Sequence, residues 1–93
     1  MVTLVKIVPS KNFTKKYDAH FSDGTKTSFG DSTMQDYTQH GDAQRRESYR
    51  ARHKKDLQTN DPTRAGYLSR YILWGNSTSL RTNIAEYKRM FNK

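Results

Sequence analysis

The chain of 93 residues contains no cysteine. It can form no disulfide framework and no thiolate metal site. No stretch approaches the roughly 18 apolar residues of a membrane span. The opening Met1-Val-Thr-Leu-Val-Lys-Ile-Val-Pro is too short for a signal-peptide core and has no basic start, so secretion is not expected. Asn12-Phe-Thr14 and Asn76-Ser-Thr78 match the glycosylation acceptor pattern, but without a secretory signal both read as chance. There is no internal repeat, no low-complexity tract and no phosphate-cradling glycine loop; Gly24 and Gly30 read as turn residues. Acid is scarce too: nine acidic residues stand against seventeen basic ones, a net charge of +8.

Hydrophobic residues make up only 32% of the chain, and mean hydropathy is −1.08. Eleven aromatics, six Tyr, four Phe and Trp74, offset this. Large side chains bury much area each, so a single domain over residues 1–93 with a thin core is expected, or one that a partner completes.

Val2 to Val8 is β-branched and closed by Pro9, which predicts a strand. Tyr17-Asp-Ala-His-Phe21 and Thr25-Lys-Thr-Ser-Phe29 flank Ser22-Asp23-Gly24, a hairpin signal. A two-residue loop would pair Phe21 with Lys26 and mix the faces. A three-residue loop with left-handed Gly24 pairs Phe21 with Thr25, Ala19 with Thr27 and Tyr17 with Phe29, leaving Asp18, His20, Lys26 and Ser28 on the opposite face. Residues 31–41 read as a loop, with Met34 and Tyr37 expected to pin it to the core. Asp42 caps a predicted helix to about Leu57, whose apolar side is only Tyr49, His53 and Leu57. Asn60-Asp61-Pro62 starts another helix, ended by Gly75-Asn76 in a left-handed cap. Ser77 or Thr78 caps a last one, with Leu80, Ile84, Tyr87 and Phe91 on one face and Lys88, Arg89 and Lys93 suiting its dipole. The fold class is α+β: a strand and a hairpin, three short antiparallel strands over residues 1–30, packed with about three C-terminal helices over residues 42–93.

Charge is uneven. Residues 42–93 carry twelve basic and five acidic residues, against five and four in residues 1–41. The densest block is Arg45, Arg46, Arg50, Arg52, Lys54 and Lys55, opposed only by Glu47. Arg46, Arg50 and Lys54 recur every four residues, and like charges at that spacing repel by a few tenths of a kcal/mol per pair, roughly. An anionic neighbour would explain them. Arg64, Arg70, Arg81, Lys88 and Arg89 are candidate supporting contacts. Three readings stay open: a solvated basic face, a phosphate-binding surface, or a surface docking on acidic protein.

His20, His40 and His53 have no metal-ligand spacing, and no metal or cofactor is expected. Asp31, Asp36 and Asp42 read better as turn and cap residues than as a cation site. No catalytic constellation is visible, and the chain is read as non-enzymatic. The segment 43–57 lacks the broad apolar face of a membrane-surface helix.

Several blocks together resemble a family of small, basic, uncharacterised proteins of large nucleocytoplasmic DNA viruses that infect algae and protists. These are Lys16-Tyr17 with Phe29-Gly30, Asp36-Tyr37-Thr38-Gln39-His40, Tyr49-Arg50-Ala51-Arg52-His53-Lys54-Lys55 and Asn60-Asp61-Pro62-Thr63. The longest are Ala65-Gly66-Tyr67-Leu68-Ser69-Arg70-Tyr71-Ile72-Leu73-Trp74 and Leu80 through Ile84-Ala85-Glu86-Tyr87-Lys88-Arg89-Met90-Phe91. The resemblance covers residues 15–91 and transfers no site residue. What it implies is context: a minor capsid or cement-like protein bound to larger coat proteins, in the virion and the cytoplasmic viral factory, or alternatively a protein that binds the viral DNA or RNA.

Overall fold

The computed structural model describes residues 2–92. Three strands, β1 (Leu4–Pro9), β2 (Lys15–Phe21) and β3 (Lys26–Asp31), form an antiparallel sheet in the order β1-β2-β3. The helical part follows as α1 (Tyr37–His40), α2 (Ala43–Arg52), a 3₁₀ segment (Lys54–Thr59), α3 (Ala65–Leu68) running into a π-helical turn (Ser69–Leu73), and α4 (Leu80–Phe91). The architecture is α+β, a three-stranded sheet followed by helices.

The hairpin takes the three-residue loop. Tyr17 pairs with Phe29 and Ala19 with Thr27, the Phe21 N–H donates to Thr25 O (3.0 Å), and Gly24 has φ +86°. This register puts Ala19, Phe21 and Phe29 into the core, where they meet Leu4, Leu68, Ile72, Leu73, Trp74 and Tyr87. Gly30 also has positive φ, and a Cβ there would lie 2.7 Å from Leu73 Cδ1. The sheet approaches the π-helical turn that closely only because the residue is glycine. On the other face Asp18 is buried and accepts from the Ser28 hydroxyl (2.6 Å). That bond first, and Lys26 more weakly, hold its carboxyl below the usual range.

One local motif recurs at five turns. In Asn12-x-Thr14, Asp23-x-Thr25, Asp31-x-Thr33, Asp36-x-Thr38 and Asp61-x-Thr63, the first side chain accepts from both the amide and the hydroxyl of the threonine. Asx side chains hold turns this way. Asn12-Phe-Thr14 is therefore a turn element. Asp61 likewise closes a turn rather than capping a helix, and α3 begins only at Ala65.

Other expectations are corrected. Residues 31–41 are not all loop: Asp36 caps α1 in a capping box with Gln39, and Gly41 ends it in the left-handed region. Met34 is 52% exposed and does not pin the segment, whereas Tyr37 packs against the core as expected, and Asp36, buried and paired with Lys16 (2.6 Å), anchors the segment beside it. The helix from Ala43 stops at Arg52, because the chain tightens at His53 (φ −103°, ψ 16°) into the 3₁₀ segment. Ser79 caps α4, accepting from the Thr82 N–H (3.3 Å). Lys93, expected in the last turn with Lys88 and Arg89, lies outside the described residues.

The end of the π-helical turn differs most. Gly75 is not left-handed. Its Cα packs where a Cβ would sit 2.4 Å from Tyr71 O. The terminal carbonyls are satisfied by side chains. Asn83, 0% exposed, donates to Ile72 O and Ser77 O (both 2.7 Å) and accepts from the Ser77 N–H (3.1 Å). Arg50 supplies Trp74 O. At the far edge of the sheet Asn92 forms a clasp: its Oδ1 accepts from the Leu4 N–H and its Nδ2 donates to Leu4 O, both at 2.9 Å. Lys88 Nζ reaches Val5 O (3.2 Å).

Candidate binding surface

The basic block divides according to which way α2 presents each residue. Arg46 and Arg50, one turn apart, face the turn at Trp74–Asn76. Arg50 Nε and Nη2 donate to Trp74 O (3.1 and 2.9 Å), and Nη2 also to Asn76 Oδ1 (3.2 Å). Arg46 Nη1 reaches Gly75 O (3.5 Å), its guanidinium lies 4.6 Å over the Tyr37 ring, and its Nε donates to Glu47 (3.0 Å). Their side chains are only 19% and 17% exposed. Burial, then the nearby Arg70 and Arg46, lower the Arg50 pKa from its ordinary value. The acceptors for these two arginines are thus neutral oxygens at a helix end and one anion, Glu47, all within the chain.

Arg45, Arg52, Lys54 and Lys55 are exposed and make no ion pair among the described residues. Lys54 leaves the Arg46–Arg50 face because the helix has already ended. The supporting candidates do not converge. Arg64 is exposed, 3.8 Å from Asp61. Arg70 is half-buried over the Tyr71 ring (4.6 Å). Lys88 is tied to β1, and Arg81 and Arg89 are exposed on α4.

Arg52 also lines a cleft of about 300 Å³. One wall is the end of the sheet and the following loop, with Lys15, Lys16, Asp31, Met34 and Asp36. The other carries Tyr49, Arg52, His53 and Asp56, and α3 with its continuation contributes Ser69, Leu73 and Trp74. Three rings are stacked along it: His53 on Tyr49 (4.2 Å between centroids, 22°) and Tyr49 on Trp74 (4.3 Å, 7°). Offset stacks of this kind add about 0.5–1.5 kcal/mol per pair beyond area burial. His53 Nδ1 lies 3.1 Å from Asp56, which fixes the outer ring. Burial pushes the Tyr49 hydroxyl pKa up to about 12, so at neutral pH it stays protonated and is a poor general base.

The three histidines have separate surroundings. His20 stands opposite Lys26 in the sheet. His40 Nδ1 accepts from the Asp42 N–H (2.9 Å), with its ring 5.3 Å from Trp74. His53 belongs to the stack. No group of three His, Asp or Glu placed to hold a metal ion occurs among the described residues, and no helix there is long and apolar enough to cross a membrane.

Sequence reasoning missed the cleft, with Lys15 and the Tyr49–Trp74 stack. The Tyr49–His53 spacing was the available signal; Trp74 joins them only through tertiary packing. Among known proteins, one family model matches, described as Family of unknown function (DUF5754), over residues 5–53. That span begins inside β1 and ends at His53, so the Trp74 side of the cleft lies beyond it. No curated protein and no solved structure matches the chain.

Proposed function

The chain belongs to a family of unknown function (DUF5754), and from the charge left free on its surface we propose that it is a non-enzymatic binding protein that docks on an acidic surface of a larger protein. The observation that carries this reading is the division of the basic block. Arg46 and Arg50 are occupied internally, while Arg45, Arg52, Lys54 and Lys55 remain exposed and unpaired, Arg52 on the wall of the aromatic cleft. Retaining four free cations on a small domain of net charge +8 costs self-repulsion and is explained by a partner of opposite sign. In the viral setting that the sequence resemblance implies, the partner is a coat protein and the chain a minor capsid or cement-like component.

Particle fractionation with cross-linking mass spectrometry tests this. The expected result is recovery with the shell, with cross-links from Lys54 or Lys55 to acidic segments of coat protein. Recovery with the genome, or absence from the particle, overturns it.

A second reading, binding of DNA or RNA, is favoured by one observation: a ring stack ending at half-exposed His53, next to Arg52, as in surfaces that stack bases. Its signature is affinity for oligonucleotides that falls with salt at a slope of about −0.7 per neutralised phosphate on single strands.

A further inference from the structure

We propose that Ser48 is a phosphorylation site whose phosphate is clamped by Arg45 and Arg52, which withdraws two of the four free cations from the acidic partner. Only that last consequence rests on the acidic-partner reading; the site itself stands without it.

Ser48 lies in the middle of α2, exposed, with no hydrogen bond at its hydroxyl among the described residues. Helical spacing puts Arg45 one turn before it and Arg52 one turn after it, on the same face. Both arginines are exposed, and both line one groove with Ser48. That groove holds no aspartate or glutamate; Gln35 and Gln44 supply neutral amides to it. Glu47, the one acid of α2, is engaged by Arg46 and Arg50 instead. The charge beside Ser48 is therefore all of one sign, unlike that of the aromatic cleft. A phosphate ester there carries about −1.5 to −2 charge and three acceptor oxygens, and a guanidinium grips such a group through paired N–H donors. An anion one turn ahead of a cation, as Ser48 stands to Arg52, is also the favourable order along a helix.

The surroundings make the serine recognisable as well. Arg45 and Arg46 stand three and two places before it, a charge pattern that kinases with an acidic substrate cleft select. Helix α2 has no buried residue, so opening it for a kinase is a local event. In the transfer, Ser48 Oγ attacks the γ-phosphorus of ATP. The Oγ–P bond forms and the bond from that phosphorus to the bridging oxygen breaks. ADP leaves with the electron pair, and the hydroxyl proton passes to the kinase's base. The net charge of the chain falls from +8 to about +6.

The full chain is incubated with Mg-ATP and the catalytic subunit of cyclic-AMP-dependent kinase, an Arg-directed enzyme, and the product is mapped by mass spectrometry. The expected result is one phosphate at Ser48, none in Ser48→Ala, and incorporation slowed at least tenfold in Arg45→Gln. Arg52→Gln, which leaves both preceding arginines in place, should be phosphorylated normally and tests the clamp. Phosphorus resonance titration should find the second phosphate pKa below the ordinary value of about 6 in the native chain and closer to it in Arg52→Gln. Calorimetry with decaglutamate should show binding weakened at least fivefold by the phosphate. No incorporation at Ser48 overturns the proposal, as does a phosphate pKa that Arg52→Gln leaves unmoved, or equal decaglutamate affinity of the two forms. The clamp is read without any partner, so recovery of the chain with the genome would sink the docking reading alone.

Discussion

The two sides of α2 carry the same kind of residue and do opposite things. On the inner side, Arg46 and Arg50 close a helix end by supplying donors to Gly75 O and Trp74 O. On the outer side, Arg45 and Arg52 reach solvent, and Lys54 and Lys55, at the start of the 3₁₀ segment, are exposed as well. A charge run read along the chain hides this division, because helical geometry assigns neighbours in sequence to different tasks. Half-buried guanidiniums on carbonyls are structural elements, whereas exposed unpaired ones are available to a partner.

The sharpest way to break the comparison is at the turn that the inner side serves. Asn83→Ala removes the side chain that satisfies Ile72 O and Ser77 O from the α4 side, and leaving buried polar groups unpaired is expected to cost about 3 kcal/mol in urea denaturation. Arg50→Met keeps the aliphatic stem but strips Trp74 O of its donors; about 2 kcal/mol is expected from the same measurement. Because both residues serve one turn, the double variant should deviate from additivity by about 0.5 kcal/mol or more.

The ring stack between the two sides gives a pH test. The Tyr49 pKa is raised in the folded chain from 10.0 to about 12. A raised folded-state pKa means stability that is fully present below the unfolded value and lost as pH climbs through the window from 10 to 12. Denaturation midpoints should fall there, with tyrosinate absorbance rising in step, and Tyr49→Phe should flatten the fall. The smallest effect belongs to the outer side. Arg45→Gln, Lys54→Gln and Lys55→Gln should each change stability by no more than about 0.5 kcal/mol, while weakening association with an acidic partner. A large loss of stability there would erase the distinction between the sides.

What the sequence revealed follows the range of the interactions. The hairpin register was legible because alternation and Gly24 act within a dozen residues. The apolar face of α4 was legible through its helical period. The π-helical turn and the roles of Arg46 and Arg50 were not, because each depends on residues 11 to 29 positions away: Asn83 on Ile72, Arg50 on Trp74, Arg46 on Gly75. A carbonyl left open by a helix end does not announce which distant side chain will supply its donor. The five Asx-x-Thr turns are a different case, since their signal was local. Asp36 and Asp61 make the same pair of bonds to a threonine, yet a helix follows only Asp36, so the local signal marks the bend and not what comes after it.

The Asn92 clasp on Leu4 has a consequence for behaviour in concentrated solution. β1 is an edge strand, and an open edge templates further strands from other copies. The amide of Asn92 copies the donor–acceptor pair of a neighbouring peptide group and occupies that edge at Leu4, while Lys88 places a charge at Val5. Opening the clasp with Asn92→Ala exposes a strand rich in β-branched residues, and light scattering should detect self-association or fibril growth well before circular dichroism detects unfolding. The last helix thus guards the first strand against aggregation.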